Sequence, residues 1–84
     1  MAYTKEYSTI VPLQAGDDRD LALWLARESF DRQAAGDALV LVDFGHREIS
    51  PDDVPPKVEK QLGRPVTDFT WIQYTGMGRR AETT

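Results

Sequence analysis

The chain contains no cysteine. Disulfide frameworks, thiolate zinc sites and a cysteine nucleophile are therefore excluded. Asparagine is also absent, so there is no N-glycosylation acceptor. Lysine is scarce, with three residues against seven arginines. Poverty in both Asn and Lys is what a GC-rich coding sequence tends to give. Long apolar runs are missing too. No apolar run approaches the ~20 residues that cross a bilayer. The opening residues MAYTKEYS lack a signal-peptide core. With no cysteine, a cytoplasmic location is the expectation.

What is present describes a small acidic domain. The 84 residues carry ten Lys and Arg against fourteen Asp and Glu, a formal charge of -4. The 40% hydrophobic content supports a folded core. There is no internal repeat and no interior linker. The reading is one domain over 1–75 and a flexible C-terminal tail over 76–84.

The segment from Tyr3 to Val11 is rich in aromatic and β-branched residues and reads as a strand. Its alternation is broken by Lys5, which suits an edge position. Asp17 is a good N-cap, and a helix is predicted from about Asp18 to Ala35, with Gly36 as its left-handed stop. Its inner face is predicted to carry Ala22, Leu25, Ala26, Ser29, Phe30 and Gln33, flanked by Leu23 and Ala34.

Asp37–Gly45 reads as a second strand. Its apolar run places it at the centre of the sheet, with Ala38, Val40, Val42 and Phe44 on one face and Leu39 and Leu41 on the other. One helix covers only one face, so the other calls for the next segment or a second subunit. Pro56–Leu62 fits a short helix stopped by Gly63 and docked through Val58 and Leu62. Val66–Thr75 reads as the third strand. The fold class is α/β, with α+β as the alternative. The order is β-α-β-α-β: a three-stranded mixed sheet, one long helix on one face and a short second helix.

Three residue groups are candidates for function. On the outer side of the long helix, Trp24 lies among Leu21, Arg27, Glu28 and Asp31. Its ring either lies over Arg27 or under a terminus, or it meets a protein partner or a second copy. Asp43, His46 and Glu48 follow the second strand and are the only candidate metal ligands or acid–base groups. A single imidazole and no metal-motif spacing argue against both roles, so no metal, cofactor or catalytic residue is assigned. Tyr3, Tyr7, Phe69 and Trp71 can stack bases, and Arg79 and Arg80 can meet phosphates. The negative charge opposes that use. The acids of the helix also suit a basic partner, although arginines interrupt them.

The functional expectation is a non-enzymatic protein-interaction or regulatory module, in the style of a phage or mobile-element accessory protein, with a homodimer as one form. The partner's identity is not encoded, and no membrane association is expected. A single-stranded nucleic-acid binder and a structural subunit of a larger assembly are the alternatives, with a small metal-binding or enzymatic domain behind them.

Overall fold

The computed structural model describes residues 3–81. Strand β1 spans Thr4–Leu13, helix α1 Arg19–Gly36, strand β2 Val40–Ile49, helix α2 Pro56–Leu62 and strand β3 Thr70–Arg79. Single 3₁₀ turns at Pro51–Asp53 and Val66–Asp68 flank α2. Among the described residues no helix is long and apolar enough to cross a membrane.

The element order is the expected one, but the sheet is not mixed. Its order is β1-β3-β2, and both outer strands run antiparallel to β3. The class is therefore α+β. The connection from β2 to β3 returns the chain into the gap between β1 and β2, splitting a β-α-β unit. The central strand is β3, not β2. The apolar run that suggested a central β2 is used differently. Leu39 is buried ahead of the strand, Leu41 packs against the core, and Val40 and Val42 stay half exposed at the sheet edge.

A bulge in β2 causes this. Leu41 pairs with Gly78 and Asp43 with Met77, so one residue is absorbed between them. The bulge resets the alternation, and Leu41 and Phe44 both reach the α1 side. An unbroken period of two puts them on opposite faces. The sheet therefore needs no second apolar cover at its centre.

The third strand runs further than expected. Residues 76–79, read as the start of a tail, complete the central strand. Gly76 and Gly78 make room for the core instead of releasing the chain. A Cβ on Gly76 would lie 2.8 Å from the Phe30 ring, and one on Gly78 3.1 Å from the Tyr7 ring. Residues 82–84 of the expected tail lie outside the described residues.

Around these glycines the aromatic rings stack in sequence. Tyr7 and Phe30 have centroids 5.9 Å apart, Phe30 meets Phe44 edge-on at 5.8 Å, and Phe44 lies 6.1 Å from Tyr74. The helix contributes Ala26, Phe30 and Ala34 fully, with Ala22 and Leu23 partly buried. The small alanines bring the helix close enough for Phe30 to reach β3. Leu25, Ser29 and Gln33, expected on the inner face, are exposed. The buried stripe is rotated toward Leu23 and Ala34.

Both ends of α1 are satisfied locally. Asp18, not Asp17, is the N-cap: its carboxylate accepts from the Leu21 amide at 3.1 Å. Asp17 instead closes the preceding turn, accepting from the Gln14 amide at 2.7 Å. At the other end the amides of Ala38 and Leu39 donate to Ala35 and Ala34 at 3.1 and 2.7 Å. This is the Schellman pattern, and Leu39 packs into the same core as Ala34. The left-handed residue is Ala38, at φ 61°, while Gly36 remains helical.

Candidate interaction surface

The core side of α1 is set by Ala26, Phe30 and Ala34, and helical rotation places Leu21, Trp24 and Leu25 on the opposite side. These three are 51%, 55% and 48% exposed. They span one turn, about 6 Å of helix, and form an apolar ridge facing solvent. Two surface leucines would be ordinary, but a half-exposed Trp between them concentrates apolar area. Of the alternatives for Trp24, the arginine cover is not found: among the described residues no cation lies over its ring, and the terminal residues 1–2 and 82–84, which could cover it, lie outside the described residues. Arg27 and Asp31 are exposed, and Glu28 is 3.9 Å from Arg32 in an i,i+4 pair. The apolar spacing of the sequence places Leu25 on the inner face. Only the true rotation of the helix brings it to the ridge.

Asp43, His46 and Glu48 do not form a site. Asp43 pairs with Met77 on the face away from α1, whereas His46 and Glu48 align with Tyr74 and Ile72 on the helix side. The sheet separates the first from the other two. His46 lies 6.1 Å from the Tyr74 ring, and Glu48 pairs with Arg19 at 3.6 Å. Among the described residues no group of three His, Asp or Glu can hold a metal ion. Burial pushes the Tyr74 hydroxyl above its ordinary pKa, so it stays protonated across neutral pH.

The proposed base-stacking aromatics are also dispersed. Tyr7 is buried on the helix side, its ring in the core and its hydroxyl donating to Asp37 at 2.8 Å. Trp71 is 1% exposed on the opposite face, and its indole donates to the Val66 carbonyl at 2.8 Å. Phe69 stands edge-on to Trp71 at 6.0 Å and beneath Arg64. These rings close the end of the sheet beside the β2–β3 connection. Tyr3, Arg79 and Arg80 remain exposed, and the Arg80 amide donates to the Tyr3 carbonyl at 3.3 Å. No stacking platform results.

Away from α1 the sheet centre is polar. Arg47 donates to Gln73 at 2.9 Å, and Gln73 donates to Ser8 at 3.4 Å, linking all three strands. Above this row lies an open trough of about 470 Å³ floored by Ser8, Gly45, Gln73 and Thr75, with Glu6, Asp43 and Met77 at one end. An antiparallel sheet carries such a face in water without further cover.

One ionic knot ties β1 to the end of α1. Asp37 accepts from Lys5 at 2.9 Å and from Tyr7 at 2.8 Å. Those two hydrogen bonds, Lys5 first, hold the Asp37 carboxyl below its ordinary pKa. The same bond raises Lys5, and burial of the ring, reinforced by the bond to Asp37, raises Tyr7. The knot is structural, since a carboxylate at a helix C-terminus is otherwise unfavourable there.

No protein-family model, no curated protein and no solved structure matches the chain.

Proposed function

We propose that the protein is a non-catalytic protein-interaction module that docks a partner on the outer ridge of α1. The observation that carries this reading is the half exposure of Leu21, Trp24 and Leu25 on the side of the helix away from its core. Trp is the residue most enriched where binding energy concentrates, and a partner that covers this ridge removes three large apolar side chains from water. The dispersal of Asp43, His46 and Glu48, and of Tyr7 and Trp71, supports binding through the helix over chemistry or base stacking through the sheet.

Site-specific photo-crosslinking tests the proposal. Leu25 is replaced by a benzophenone-bearing residue in cells that naturally produce the chain, and Lys57 on α2 is replaced likewise as an exposed control. The expected result is a discrete protein adduct from position 25 and none from position 57. Absence of any adduct at position 25 refutes the reading. An adduct containing a second copy keeps the interaction role and identifies the module as a homodimer.

A further inference from the structure

We infer that the occupant of the α1 ridge is a basic amphipathic segment of another protein, not a second copy of this chain; the inference rests on the ridge being an interaction surface. Helical neighbours of Trp24 at spacings of three, four and seven include Asp20, Glu28 and Asp31, against a single Arg27. Among the described residues Asp20 and Asp31 form no ion pair, and Glu28 meets only the more distant Arg32. The apolar ridge is thus rimmed by carboxylates in excess of arginines, and two of them, Asp20 and Asp31, have charge to offer. A partner presenting apolar anchors flanked by lysines or arginines satisfies both features at once.

Self-pairing satisfies only the apolar one. An antiparallel pair of α1 helices centred on Trp24 sets each Asp20 against Glu28 of the other copy. A parallel pair sets every carboxylate against its own equivalent. Either arrangement adds like charge to a chain already at -4. Like charges facing across an interface suppress that pairing.

The test uses two fluorescein-labelled 14-residue peptides with leucines at identical helical spacing. One carries lysine at its polar positions and the other glutamate. Binding is read by anisotropy, and the solution mass of the free protein is measured by light scattering over a concentration series. The expected result is saturable binding of the lysine peptide, weakened at least about fivefold when salt rises from roughly 50 to 300 mM. Leu21→Ala/Trp24→Ala should weaken it at least about tenfold without altering net charge, as expected for hot-spot anchors. Binding that survives this double substitution is plain Coulombic attraction and overturns the inference. Equal binding of the glutamate peptide through Trp24, or a dimer of the free protein broken by the substitution, overturns the basic occupant but keeps the ridge as an interaction surface. No binding of either peptide overturns the inference, and with no crosslink at position 25 the interaction role falls as well.

Discussion

Ala38 and Gly36 each occupy a position better suited to the other. Ala38 sits at φ 61° in the left-handed slot of the Schellman turn, where a Cβ crowds the following carbonyl. That conformation costs about 1–2 kcal/mol for a non-glycine residue. Ala38→Gly removes the cost but adds freedom to the unfolded chain, which takes back about 0.4–1 kcal/mol. The net gain expected is roughly 0.5–1 kcal/mol by that difference. Gly36 is helical, and a Cβ placed there meets nothing within 4 Å. Gly36→Ala should therefore gain about 0.5 kcal/mol, the lower end for a helical glycine because the site lies in the last turn. For a domain of this size each kcal/mol moves the melting midpoint by about 4–8 °C. Thermal unfolding followed by far-UV circular dichroism, on the single and double variants, reads the effect. A lowered midpoint in either single variant contradicts a left-handed Ala38 beside a helical Gly36. A left-handed Gly36, as the sequence pattern suggests, reverses the sign of Gly36→Ala.

Other outcomes follow from the same geometry. Gly76→Ala should destabilise by about 1–3 kcal/mol, because the added methyl overpacks the Phe30 ring; urea unfolding measures this, and Gly36→Ala serves as the harmless control. Asp37 has a folded pKa below its unfolded value near 3.8, so its contribution is present above that value and fades as pH falls through the lowered one. Lys5 is raised above 10.5, so its contribution is complete below that value and fades as pH rises through the raised one. Melting midpoints across pH should therefore lose these acid and alkaline components together in Asp37→Asn, and an unchanged profile would sink the assignment. Acrylamide should quench the Trp24 emission freely and leave Trp71 protected, since the latter is 1% exposed and hydrogen-bonded. Trp24→Phe should remove most of the quenchable signal.

The elements were legible because their signals are local. An aspartate cap before α1, readable one residue early at Asp17 instead of Asp18, Pro56 and Gly63 around α2, and β-branched residues in β1 all act within a few positions. Strand order was not, because a 20-residue connection permits either direction of return. The β2 bulge has no local signature in Val40-Leu41-Val42-Asp43, yet it decides which side chains reach the helix. Gly76 and Gly78 looked like release points because their role depends on Phe30 and Tyr7, more than forty residues away in the chain. The outward position of Trp24 was readable, since charged neighbours at helical spacing leave it no inner face. Leu25 was not, since a rotation of the buried stripe toward Ala34 depends on how closely the alanines let α1 approach the sheet.

On the proposed role, Leu21 and Trp24 serve a partner and not the fold. The most direct test is the thermal midpoint of Leu21→Ala/Trp24→Ala beside the unsubstituted chain. Both residues are about half exposed, so each truncation falls among surface changes of about 0.5 kcal/mol or less. A combined shift within about 8 °C is expected, at unchanged circular dichroism. A fall of roughly 12 °C or more, equivalent to about 2 kcal/mol, would mean that the ridge holds the domain together and is not reserved for a partner.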